Sequence, residues 1–255
     1  MARSDCFWIW YCLLGSSLLL ALAQNYCDPQ LCPGGLRHVA CQSTGRFADG
    51  CRAELVNVNP HIALILGLHN ERRNRIASGG LSGFPSATHM ASMSWDSTLA
   101  TLAAYNTLRC RMEHDQCRNT NTYRFAGQNL SVLFTRNIDV EPFLRQRIEA
   151  WFDEHRYATS ADIENYQPRG GPAFGHFTTM INERNNRIGC AILRYTDANN
   201  SQGTLLACNY AVTNVINNPV YRSGSPASEC TTGRHSNYPN LCSSNESYNY
   251  NEWAG

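Results

Sequence analysis

Cysteine is the residue type in this 255-residue chain with the most bond-forming chemistry, and there are twelve of them. Cys6 and Cys12 fall inside an apolar stretch at the N-terminus. The others are Cys27, Cys32, Cys41, Cys51, Cys110, Cys117, Cys190, Cys208, Cys230 and Cys242. No CxxC pair occurs, which argues against thiolate metal sites, and the spacings are irregular. An even set of this kind reads as bridges formed in an oxidising compartment, five of them. Bridged cysteines supply no thiolate nucleophile. The chain also has no GxSxG elbow, no HExxH helix and no glycine-rich phosphate loop. Acid–base or ligand chemistry therefore falls to its eight histidines and to scattered glutamates.

The compartment follows from the N-terminus. Arg3 precedes an apolar run from Phe7 to Leu22, and Ala21-Leu22-Ala23 has the small-x-small pattern that signal peptidase accepts. That run is shorter than the about 20 residues that cross a bilayer as a helix. A cleavable signal over residues 1–23 is expected, with a mature start at Gln24 and no transmembrane segment beyond it. The formal charge is +1, too little for a non-specific hold on nucleic acid. All basic residues are arginine; lysine is absent.

These groups need elements to hold them. The four cysteines from Cys27 to Cys51 sit among Pro33-Gly34-Gly35 and few apolar residues, a segment that must be stapled to a core it cannot form itself. Asn59 as N-cap and Pro60 at the first helical position open a helix in which Ile62, Ile65, Leu66, His69 and Ile76 recur, stopped by Gly79-Gly80. Asp96 can cap a second helix, with Leu99, Leu102, Ala103 and Asn106 on one face. Phe125–Phe134 suits a strand or a turn. A third helix is expected from Asp139 to His155, turning Phe143, Leu144, Ile148, Trp151 and Phe152 inward. Three β-like runs follow, His176–Ile181, Arg187–Tyr195 and Leu205–Val212, the last two as a hairpin that Cys190 and Cys208 can bridge. From Pro219 the chain turns rich in Ser, Asn and Tyr; Cys230 and Cys242 are expected to close a loop there, and the last ten residues to be disordered.

Five segments, in order, resemble the signatures of one family. They are Leu68-His69-Asn70-Glu71-Arg72-Arg73, Met93-Ser94-Trp95-Asp96, Gly127-Gln128-Asn129-Leu130, Gly175-His176-Phe177-Thr178-Thr179-Met180 and Cys208-Asn209-Tyr210. Together they resemble the CAP superfamily. Asn25-Tyr26-Cys27 and His38-Val39-Ala40-Cys41 resemble the N-terminal extension of its insect antigen 5 (venom allergen 5-like) branch. The resemblance implies an α+β fold, the CAP three-layer α-β-α sandwich with a central antiparallel sheet. It also implies the bridges Cys27–Cys41, Cys32–Cys117, Cys51–Cys110 and Cys190–Cys208, with Cys230–Cys242 left by elimination. The expected organisation is a signal peptide over 1–23, a Cys-rich extension over 24–58, the CAP domain over 59–218 and a stapled tail over 219–255.

CAP proteins carry a cleft lined by two histidines and two acids. By motif, the histidines are His114 and His176 and one acid is Glu154; Gln128 stands where the second acid would be. Glutamine accepts a hydrogen bond but cannot take up a proton or anchor a cation by charge. Met180-Ile181-Asn182 also lacks the family's tryptophan, which implies a more polar cleft wall. No cofactor is required, though His114 and His176 offer a labile Zn²⁺ site. A plainer reading has both imidazoles only hydrogen-bonding, and Glu154 pairing with Arg156 at a helix end. His38, His61, His69, His89, His155 and His235 read as structural or solvated.

The resemblance implies a secreted extracellular protein, monomeric and non-enzymatic, that binds a small ligand, a lipid or a protein partner. The competing reading is a metal-assisted hydrolase or protease using His114, His176 and Glu154. An adhesion antagonist is set aside, because Arg169-Gly170-Gly171 lacks the required acid. Asn199 and Asn245 open loop sequons suited to glycans, while Asn129 lies in an expected strand and is unsuited.

Overall fold

The computed structural model describes residues 24–135, 138–197 and 200–251. The expected signal peptide, with Cys6 and Cys12, lies outside them, as does Asn199. Five strands form one sheet: β1 (Arg52–Val56), β2 (Ser94–Trp95), β3 (Gly127–Phe134), β4 (Arg187–Thr196) and β5 (Gln202–Tyr210). The order is β1-β4-β5-β3 and every pairing along it is antiparallel. Short β2 runs parallel to the start of β4. Among the described residues, five α-helices accompany the sheet: α1 (Ile62–Ala77), α2 (Ser97–Thr107), α3 (Val140–Phe152), α4 (Ser160–Glu164) and α5 (Gly175–Ile181).

Strand alternation puts the small residues in the first half of β4 on one face. Gly189 and Ala191 face α2, where Ala191 packs with Ala103, Leu130 and Ala207. A Cβ at Gly189 would lie 2.1 Å from the Ala100 nitrogen and 2.4 Å from the Asp96 carbonyl, so α2 rests directly on the strand. The intervening Ile188, Cys190 and Ile192 enter the main core with Leu206, Cys208 and Tyr210. Ile65, Phe143, Trp151 and Phe177 of α1, α3 and α5 close that core from the other side. The result is helix, sheet and helices in three layers. Burial on both faces is why β4 and β5 read as continuous apolar runs.

All five expected bridges form: Cys27–Cys41, Cys32–Cys117, Cys51–Cys110, Cys190–Cys208 and Cys230–Cys242. Cys190 and Cys208 face one another in the β4–β5 register. Cys32 and Cys117 join Leu31 and Tyr26 in a small separate cluster. Beyond the stapled segment, residues 52–56 add strand β1 to the sheet edge.

Several local expectations are corrected. Residues 175–181 form helix α5, not a strand: Phe177, Met180 and Ile181 take helical spacing into the core, and the Thr178 hydroxyl donates back to the Phe174 carbonyl at 3.2 Å. Asn59 does not cap α1. It opens a 3₁₀ turn over Asn59–His61, its own N–H donating to the Asn57 side chain, and α1 starts at Ile62. Asp96 does cap α2, accepting from the Leu99 N–H at 2.9 Å. Helix α3 ends at Phe152 and continues to Tyr157 as a 3₁₀ turn. The tail is ordered through Asn251: Glu246 is 2% exposed, and the Tyr248 and Tyr250 hydroxyls donate to the His89 carbonyl and the Asn186 side chain.

Candidate functional site

The five sequence motifs meet in one hydrogen-bonded network. The imidazole of His69 is fully buried on α1; its Nδ1–H donates to the Ile65 carbonyl at 2.8 Å, so Nε2 accepts from the Tyr210 hydroxyl at 2.9 Å. The Asn129 amide donates to that same hydroxyl at 3.3 Å and to the His176 carbonyl at 3.1 Å. The neighbouring Asn70 grips Met93 at both its N–H and its carbonyl. Arg73, also fully buried, donates to the carbonyls of Ala91, Met180 and Asn182. Carbonyl dipoles thus satisfy a buried charge that would otherwise be costly, and burial still lowers its pKa to about 10.

A cleft of about 480 Å³ opens above this network, bounded by the loop before β3, α5 and the segment after β5. His114 and His176 both line it, with Gln128, Tyr166, Asn214 and Ile216. Glu154 anchors His176 from below. One carboxylate oxygen accepts from the His176 Nδ1–H at 2.6 Å; the other accepts from the backbone N–H groups of His176 and Phe177 at 2.9 and 3.3 Å. Glu154 thereby caps the open N-terminus of α5 and orients its first imidazole with one side chain. Trp151 stacks beneath that ring, 6.0 Å between centroids.

Gln128 plays the matching part for His114. Its amide nitrogen donates to Asp115 at 2.9 Å and to Asn209 at 3.0 Å, which turns its carbonyl oxygen to His114 Nδ1 at 2.8 Å. The Asn209 amide in turn donates to the Leu99 carbonyl, confirming Asn209 as the acceptor. His114 Nδ1 therefore carries the proton. Its pKa is lowered, chiefly by desolvation and further by the nearby Arg118 and His176 charges, against the Gln128 bond that raises it. On both histidines Nδ1 is committed and Nε2 is the nitrogen left to the cleft, the arrangement in which an outer hydrogen bond fixes the tautomer of a ligating imidazole.

Other expectations fall differently. Arg156 pairs with Asp153 at 3.2 Å, not with Glu154. Asn182 lies buried at the end of α5, accepting from the Arg184 N–H, and does not form the cleft wall. Asp115 escaped the sequence reading: it is buried, accepts from Asn106 and Gln128 and pairs with Arg118 at 2.9 Å. Its position beside His114 between two bridged cysteines was the available signal.

A second cluster joins His89, Cys242 and Glu246 within 4.8 Å. Cys242 is bridged to Cys230 and offers no thiolate. Glu246 already accepts from His89 and from the N–H and hydroxyl groups of Thr231 and Thr232. Burial raises the Glu246 pKa, but those donors outweigh it and bring it to about 2. The cluster fastens the tail and is not an open metal site.

Fold and cleft together define a CAP protein, and the family model for the cysteine-rich secretory protein family matches residues 66–210. The chain belongs to that family. Within it, the chain falls with the insect venom allergen and antigen 5 proteins. It is 37% identical to Venom allergen-1 of Aedes aegypti over 237 residues, covering 91% of this chain and 92% of that one. It is 39% identical to Antigen 5 like allergen Cul n 1 of Culicoides nubeculosus over 196 residues, covering 72% and 90%. Among solved structures, NaASP2 with Zn²⁺ aligns with a TM-score of 0.58 at 20% identity, covering 77% of this chain and 99% of that one. Na-ASP-1 aligns with a TM-score of 0.59 at 21% identity, covering 74% and 50%.

Proposed function

We propose that this protein is a secreted, non-enzymatic binding effector whose cleft takes up ligands through the two imidazoles, Zn²⁺ reversibly among them. The observation that carries the reading is the commitment of both Nδ1 atoms, to Glu154 and to Gln128, which leaves two Nε2 lone pairs for the cleft. Two protein ligands suit a labile ion completed by water; a structural zinc takes four. The structure of NaASP2 with Zn²⁺ supports the choice of metal.

A metal-assisted hydrolase would take its nucleophile from metal-bound water and still need a free general base, while covalent hydrolysis would need a side-chain nucleophile. Glu154 already accepts three N–H bonds, and no serine, cysteine or lysine lines the cleft. Both facts favour binding over catalysis. The same reading makes the protein extracellular and monomeric, with its signal removed after Ala23 and glycans on exposed Asn245 and on Asn199. The Cys-rich extension over 24–58 and the tail over 219–255 then flank the CAP domain over 59–218. Its larger partner is a lipid or protein surface, not nucleic acid. No helix among the described residues is long and apolar enough to cross a membrane.

Native mass spectrometry of the oxidised, secreted protein with and without added zinc tests the proposal. One zinc is expected on the wild type and none on the His114→Ala/His176→Ala variant. Equal zinc uptake by the two proteins, or none by either, would overturn the metal site.

A further inference from the structure

We propose that a second hollow, between the N-terminal extension and the loop after α2, is a binding site for a compact polyanion bearing phosphate or sulfate groups. The hollow measures about 430 Å³, within the range of small-molecule sites. Four arginines line it, Arg37, Arg46, Arg109 and Arg111.

Their negative partners do not match them in number. Glu113 serves both Arg109, at 3.0 Å, and Arg111, at 2.8 Å. Asp115, the other acid in the wall, is turned to Arg118. The Arg37 guanidinium has a single 3.4 Å bond to the Cys41 carbonyl, and that of Arg46 has no partner among the described residues. Four arginines against the two acids of the wall, Glu113 and Asp115, leave an excess of positive charge that an anion seated among them would offset. The concentration is local, because the whole chain carries only +1. Every one of these cations is arginine, whose planar fork matches two oxygens of a phosphate or sulfate at once.

The bridges prepare the site. Arg37 lies between Cys32 and Cys41, Arg46 between Cys41 and Cys51, and Arg109 and Arg111 flank Cys110. Those cysteines are tied to Cys117, Cys27, Cys110 and Cys51. The backbone carrying all four arginines is therefore fixed before a ligand arrives, and binding has only side chains to order. The volume of the hollow suits a small, densely charged molecule. His114 lines both hollow and cleft, but the arginine site does not depend on the zinc reading above.

Isothermal titration calorimetry at low ionic strength tests the site, with inorganic tripolyphosphate and sucrose octasulfate as the phosphate and sulfate probes and acetate as a monoanion control. Saturable binding of at least one polyanion is expected, with none for acetate. Arg46→Ala/Arg111→Ala should weaken it about tenfold or more, since both side chains are exposed and their loss leaves the core intact. Arg46→Ala alone should weaken it in the same direction. Arg145→Ala/Arg156→Ala, on α3 and in the 3₁₀ turn after it and outside the lining of the hollow, should leave the affinity unchanged. Folding of each variant is checked by the five-bridge mass and the unfolding midpoint. Absence of binding by both polyanions, or equal weakening by the Arg145/Arg156 variant, would overturn the proposal.

Discussion

His69 Nε2 accepts a 2.9 Å hydrogen bond from the hydroxyl of Tyr210, 141 residues further along the chain, and neither side chain reaches solvent. Tyr210→Phe removes the donor and leaves a buried nitrogen without one. The expected cost is about 1–3 kcal/mol of unfolding free energy with little change in packing volume. Urea unfolding measures it; an unchanged midpoint would show that the nitrogen finds another donor.

The same imidazole makes stability depend on pH. Burial, followed by the Arg72 and Arg73 charges, lowers the His69 pKa to about 4, although the Ile65 carbonyl bond opposes them. The unfolded chain has the ordinary value of about 6.5 and so binds the proton first. The contribution of His69 is therefore complete above that pH and is lost as pH falls from there toward 4. It amounts to about 3 kcal/mol. Unfolding midpoints of wild type and His69→Gln, measured across this window, should converge at the acid end.

Glu154 links helix capping to ligand geometry. Glu154→Ala should cost about 1 kcal/mol through the lost cap. If zinc binds as proposed, its affinity should also fall about 10–100-fold as His176 loses its orienting partner. Glu154→Gln, which keeps an acceptor, should do less on both counts. Zinc titration beside thermal melts separates the two effects; loss of stability with intact zinc affinity would confine Glu154 to capping.

The bridges should differ in value according to the loops they close. Cys32–Cys117 spans 85 residues and Cys230–Cys242 spans 12. Chain-entropy arguments then assign about 4.5 and 3 kcal/mol respectively. Paired Cys→Ser variants compared by denaturant unfolding should keep that order.

What the sequence made legible was the identity of the parts more than their joining. His114, His176, Gln128 and Glu154 are all nameable from motifs; the first three line the cleft, while Glu154 is not in its lining and holds His176. The Tyr210 hydroxyl between His69 and Asn129 was not, because no spacing along a chain predicts a contact across the layers. Residues 175–181 misled because a run of so few residues fits either period; the cap from Glu154 and the Thr178 back-bond decide it as a helix. The tail misled for another reason. Its composition promises no core, yet buried Glu246 and the tyrosine hydroxyls hold it by hydrogen bonds, which hydropathy does not register. Arg37 and Arg111 likewise share a wall only after the bridges have folded the extension back.

Strand β1 sets a timing problem for a chain made from its N-terminus. Residues 52–56 are synthesised early, yet their strand partner among the described residues, β4, is among the last elements to appear. Until then the nascent strand is an unpaired edge, the kind of surface that seeks other chains. Cys51, immediately before it, meets Cys110 after 59 residues, well ahead of β4. That bridge is in position to act as a tether, keeping the early strand beside the growing chain until the late one arrives to complete the sheet.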